Sequence, residues 1–181
     1  MKYTTSMWKS ANRQHVQKFM TWSEYAKTAF ETSRLFIRAT DIKGDCEKMY
    51  KWTFDEDFQK FWHLPKFSSK EDFEMYLHRR KKTRWDFTAV YDGVPVCLLS
   101  LRESRSENLL SYCTAPSFRR LGFASEALSA LIEHLGLKTA SLMIENTNKK
   151  SIALAKKLGF VPSIHLNAFT TLYILKNGGE I

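Results

Sequence analysis

The stretch Tyr112-Cys113-Thr114-Ala115-Pro116-Ser117-Phe118-Arg119-Arg120-Leu121-Gly122-Phe123-Ala124 decides how the rest of the chain is read. A strand from Leu109 to about Thr114 ends here, the chain turns, and a small-residue loop opens a helix. That helix carries Ala127, Leu128, Leu131, Ile132 and Leu135 as one apolar stripe and stops at Gly136. Gly122 and Ala124 leave backbone N–H groups uncovered. The helix N-terminus adds unpaired donors and a partial positive charge. Such a combination suits a pyrophosphate, and Arg119 and Arg120 add full charges beside it. Short glycine turns before helices are common, so the physics alone marks only a candidate phosphate site.

Working outward, a strand is expected at Ala140 to Glu145 and a short helix with Ile152, Ala155 and Leu158 on one face, ending at Gly159. A closing strand is expected at Phe169 to Leu175. Upstream, Trp85–Tyr91, Asp92-Gly93 and Val94–Leu101 read as a hairpin, because Asp-Gly supplies the positive φ angles of a two-residue turn. Helical stretches are expected near Gly44–Phe54 and Ser69–Lys82, after a first strand at Leu35–Ala39. Residues 1–33 read as a helical extension packed on the core, and 34–181 as the main domain. Hairpins mixed with strand-helix-strand units predict an α/β fold of mixed α+β character, with helices covering a mixed sheet.

The composition narrows the class. At 181 residues the chain can bury one sizeable core. With 44% hydrophobic and 14% aromatic residues it has the apolar surface to offset chain entropy, which argues against disorder. No apolar run approaches a membrane span, and the start does not read as a signal peptide, so a cytoplasmic protein with no membrane partner is expected. Cys46, Cys97 and Cys113 show neither metal-ligand spacing nor a disulfide framework, and no metal is expected. The net charge of +9 favours an anionic partner. Its densest cluster, His78-Arg79-Arg80-Lys81-Lys82, reads as a solvated helix end.

The loop has Arg119, Gly122 and Ala124 where the Arg/Gln-x-x-Gly-x-Gly/Ala pattern of the GNAT acetyltransferase superfamily requires them. Asn148-Lys149-Lys150-Ser151 and Leu158-Gly159-Phe160 resemble its later Asn-x-x-Ser and Leu-Gly-Phe motifs. Arg34-Leu35-Phe36-Ile37-Arg38 looks like the first strand of the branch that acetylates ribosomal-protein N-termini. The resemblance covers about residues 34 to 175. It implies a mostly antiparallel sheet of six to seven strands with a V-shaped split between two parallel strands. It implies acetyl-coenzyme A as co-substrate, with its pyrophosphate on Arg119, Arg120, Leu121, Gly122, Phe123, Ala124 and Ser125. The pantetheine arm would lie along Cys113, Thr114 and Ala115, and Asn148 would reach it from the second strand's end. Asn148 also suits a helix N-cap.

The expected reaction is acetyl transfer to a primary amine by direct attack in a ternary complex. An amine must lose a proton, the thioester oxygen must be stabilised, and the leaving thiolate must gain a proton. Here the chain departs from the family. Its usual tyrosine acid aligns with Ala155, and a frequent glutamate aligns with Leu109. Ser151 and Glu145 are the substitute catalytic candidates, and Ser151 resembles a serine that some ribosomal-protein-type members place near the coenzyme A sulfur; Glu103 and Tyr112 rank behind them. The aromatic run Trp52, Phe54, Phe58, Phe61, Trp62, Phe67, Phe73 and Tyr76 is either an acceptor wall or core. Acceptors from protein N-termini and lysines to small amines fit, as do a monomer or a homodimer. The alternative is a degenerate binding module that sets its basic face on nucleic acid or an acidic protein.

Overall fold

Asp92 and Gly93 both take positive φ, 47° and 70°, so the two-residue turn expected from the sequence is formed. The computed structural model describes residues 21–103 and 108–176. Within them the chain runs α1 (Trp22–Lys27), β1 (Ala29–Glu31), β2 (Phe36–Ala39), α2 (Ile42–Trp52), α3 (Glu56–Trp62) and α4 (Lys70–Arg80). It continues through β3 (Trp85–Tyr91), β4 (Val94–Glu103), β5 (Asn108–Thr114), α5 (Phe123–His134) and β6 (Thr139–Glu145). The last elements are α6 (Lys149–Lys157), β7 (Val161–His165) and β8 (Thr170–Lys176). The strands form one sheet in the order β1-β2-β3-β4-β5-β6-β8-β7. Among these pairs only β5–β6 is parallel.

The sheet therefore has eight strands, not six to seven. The two unexpected strands both lie at its edges, where pairing is one-sided and sequence patterning is weakest. β1 is a three-residue strand against β2. β7 is exposed along its whole length and contains Pro162, whose missing donor is tolerated at an edge. Residues 1–20 of the expected helical extension lie outside the described residues. Residues 21–33 supply α1 and β1, and Tyr25 of α1 is buried in the core.

Helices cover both faces. Leu128, Leu131 and Ile132 of α5 pack with Ile37, Phe87, Leu99 and Leu110 from the strands. On the other face Met49, Phe58, Phe73 and Leu77 of α2, α3 and α4 enclose Leu98 and Cys113. Leu98 and Leu99 point oppositely because successive strand side chains alternate.

The basic cluster at the end of α4 is not wholly solvated. Arg80 is 6% exposed. Its guanidinium donates to both Asp86 oxygens at 3.1 Å, to Ser100 Oγ at 2.6 Å and to Tyr76 Oη at 3.2 Å. Burial works against the charge, but the Asp86 carboxylate more than compensates and raises the Arg80 pKa. Removing one member leaves the other charge buried and unpaired. Arg80→Met should cost about 3–5 kcal/mol in denaturant unfolding, whereas Arg80→Met with Asp86→Leu should recover much of that loss.

Candidate active site

β5 and β6 pair only at Leu109–Ser141 and Leu110–Leu142. Past that point each strand follows its outer neighbour: β5 stays on β4 to Thr114, and β6 stays on β8 to Glu145. The two halves of the sheet diverge, and a cavity of about 710 Å³ opens between them. Leu110 to Thr114 line one wall and Leu142 to Glu145 the other.

The loop after β5 closes one end. Arg120 and Gly122 hold positive φ, 64° and 84°, and Gly122 is the N-cap of α5 with no side-chain cap. The first bond of this turn runs from Glu126 N–H to the Gly122 carbonyl at 3.1 Å. The N–H groups of Phe123, Ala124 and Ser125 thus stand at the helix start without a capping side chain. Gly122, Phe123, Ala124 and Ser125 line the cavity, as do Arg119 and Arg120, while Leu121 is absent from its lining and 53% exposed.

Arg34 braces this loop from behind. Its Nη1 donates to the Leu121 carbonyl at 2.9 Å and its Nε to Glu126 Oε2 at 2.7 Å, and its guanidinium lies 4.6 Å from the Phe123 ring centre. Burial disfavours the Glu126 charge, yet donors from Thr32, Arg34 and Ser33 outweigh it and hold this carboxyl below its ordinary range. Arg119, which lines the cavity, is also engaged by carboxylates. It forms a two-armed pair with Asp55, at 3.1 and 2.5 Å, and reaches Asp57 at 3.6 Å. Its charge is already matched by carboxylates at the start of α3.

Two polar pairs sit farther along the cavity. Tyr112 Oη and Ser151 Oγ are 2.7 Å apart, and burial pushes the Tyr112 hydroxyl up to about 12. Asn148 caps α6, its Oδ1 accepting from Ser151 N–H at 3.1 Å. At the end of β6, Glu145 Oε1 is hydrogen-bonded to His63 Nε2. Thr114 lines the cavity, but Ala115 does not. Cys113 is buried, and burial raises its thiol pKa, which argues against a thiolate nucleophile. All three cysteines are buried and unpaired. Glu103 ends β4, and its side chain lies outside the described set.

A family model described as an acetyltransferase (GNAT) domain matches residues 34–161. The chain belongs to the GNAT acetyltransferase family. Among solved structures, spermidine N-acetyltransferase from Vibrio cholerae, in complex with CoA and spermine, shares the fold at TM-score 0.69 and 18% identity, over 81% of this chain and 97% of that one. RimL, a ribosomal L7/L12 alpha-N-protein acetyltransferase, aligns at TM-score 0.68 and 17% identity, over 80% and 91%. A GNAT-family acetyltransferase from Bacillus anthracis aligns at TM-score 0.68 and 20% identity, over 81% and 96%. No curated protein matches the sequence.

Several residues of this GNAT site escape the sequence reading. Arg34 was legible only as part of a strand. His63 ends α3, a helix that the aromatic run concealed, although Asp55 is a readable N-cap, accepting from Phe58 N–H at 2.8 Å. Phe58, Phe61 and Trp62 of α3 line the cavity, while Trp52 and Phe73 belong to the core. Trp62 donates its indole N–H to the Tyr112 carbonyl at 3.2 Å.

Arg34→Ala should lower stability by about 1–2 kcal/mol in denaturant unfolding, and lysine should restore little because the bracing is two-armed. A second expectation concerns acid. Asp55, held down chiefly by Arg119, Asp57, held down chiefly by Lys150, and Glu126 all titrate below their ordinary range. Depressed carboxyls contribute stability above their unfolded pKa, roughly 4, and lose it as pH falls. The thermal midpoint should therefore drop between about pH 5 and 3, and Asp55→Asn should make that drop shallower.

Proposed function

We propose that the chain is an N-acetyltransferase that moves an acetyl group from acetyl-coenzyme A to a primary amine by direct attack in a ternary complex. The observation that carries this reading is the cavity at the β5–β6 split, with uncapped N–H groups at one end and a hydroxyl pair farther along. The residues present fit the co-substrate. Backbone donors of Arg120 to Ser125 would hold its pyrophosphate, supported by helix α5. The pantetheine arm would run along Cys113 and Thr114 with Asn148 beside it. Arg119 would act from its Asp55 pair, orienting α3 as much as attracting phosphate.

Orientation of amine and thioester in one groove supplies a large share of such a rate. Ser151 would give the leaving thiolate a proton. Tyr112 stays protonated across the neutral range and can resupply Ser151 through their shared hydrogen bond. This pair provides the hydroxyl that Ala155, fully buried in the core, cannot. Glu145, at the end of β6, belongs to the amine side of the reaction.

Calorimetry should show micromolar binding of acetyl-coenzyme A and a loss with Gly122→Glu. Gly122→Ala bears the same positive-φ cost and the same approach to Arg34 without the charge, so it separates these from the effect of an added carboxylate. In thiol-release assays Ser151→Ala should slow transfer by at least about 100-fold. If acetyl-coenzyme A fails to bind, and nucleic acid binds tightly with steep salt dependence, the basic binding module is the better reading.

A further inference from the structure

We propose that His63, oriented by Glu145, is the base that accepts the proton from the acceptor's ammonium group. The inference rests on the acetyltransferase reading and assigns a residue to its amine side.

The backbone singles out His63. It ends α3 with φ 46° and ψ 43°, a left-handed conformation that favours glycine over side-chain-bearing residues. That turn carries the ring across the cavity mouth from α3 to the end of β6, where Nε2 meets Glu145 Oε1. A carboxylate accepts only, so Nε2 carries the proton in this pair, and in the neutral ring Nδ1 keeps its lone pair. The His63 side chain is 71% exposed and that of Glu145 26%. An incoming amine can therefore reach the imidazole, while the carboxylate lies behind it. The other charged groups lining the cavity are Asp57 on α3, Arg119 and Arg120 on the loop, and Lys150 and Lys157 on α6. Of these, Asp57 and Arg119 are engaged with each other and with Lys150 or Asp55. Among them, the Glu145 contact is the one that touches the ring.

The chemistry balances without another reactant. The ammonium gives one proton to His63 Nδ1, and the resulting imidazolium is held by Glu145 before it releases that proton to solvent. The free amine attacks the thioester carbonyl carbon, forming the C–N bond as the C–S bond breaks. The thiolate takes the Ser151 proton, and the second proton lost by the nitrogen restores the hydroxyl pair through water. Imidazole suits the first step because its second ring nitrogen can take up a proton while the first stays bonded to the carboxylate. The His63–Glu145 and Tyr112–Ser151 pairs thus divide the two proton transfers between them.

A purely structural stitch would hold α3 in place and affect every nucleophile alike. The experiment compares thiol release from acetyl-coenzyme A with a serine-initiated peptide and spermidine, both ammonium ions at neutral pH, and with hydroxylamine, which is already uncharged. His63→Gln keeps an N–H donor for Glu145 but cannot take up a proton. It should lower kcat/KM by about 100-fold for an ammonium acceptor used by the wild type. Hydroxylamine turnover and coenzyme A affinity should change little, and imidazole should partly rescue His63→Ala. Equal losses with both kinds of nucleophile, or no loss with the ammonium acceptor, would overturn the assignment. If the wild-type protein releases thiol with none of the three, the acetyltransferase reading fails first and takes His63 with it.

Discussion

The parallel pairing of β5 and β6 stops after Leu110 and Leu142, and the site depends on that interruption. Both strands are tied more strongly outward, β5 to β4 and β6 to β8, than to each other. Sheet twist then separates them instead of closing the gap. Backbone groups on the two facing edges lose their neighbours and must find others. Trp62 satisfies one, the Tyr112 carbonyl. The rest of the gap is the cavity, so the groove follows from strand pairing rather than from removal of side chains.

Helix α3 makes the groove into a walled site. Its cap Asp55 and first-turn Asp57 reach Arg119 after β5 and Lys150 on α6, and its end places Trp62 on β5 and His63 on β6. One seven-residue helix is thereby attached to both arms of the split. Exposed ion pairs of this kind contribute little each. Here they share a rigid element, so they act on its position more than on global stability. The buried Arg80–Asp86–Ser100 network lies behind this layer, with the Arg80 guanidinium 5.3 Å from the Trp62 ring centre. It links the far side of the aromatic wall to the sheet.

The legible parts of the sequence were those where a local rule was obeyed. Asp92-Gly93 had to turn with positive φ, Gly136 and Gly159 had to end helices, and the apolar stripe of α5 had one buried face. The Arg119–Ala124 loop was legible because glycine at 122 meets a need for left-handed backbone at a helix start. Edge strands and α3 were not legible. β7 is exposed on both faces and shows no alternation. α3 is short and its aromatic residues serve partly the core and partly the cavity.

By itself, the sequence determined the fold class, the glycine-containing turn that opens α5 and the Asn148 cap. Each depends on chain-local geometry, on residues within a few positions of one another. Only the tertiary structure decided what each charge faces. Arg119 and Asp55 are 64 residues apart, and His63 and Glu145 are 82 apart. Electrostatic and hydrogen-bond partners are set by distance in space, which the order of residues does not carry until the sheet has split and α3 has crossed it.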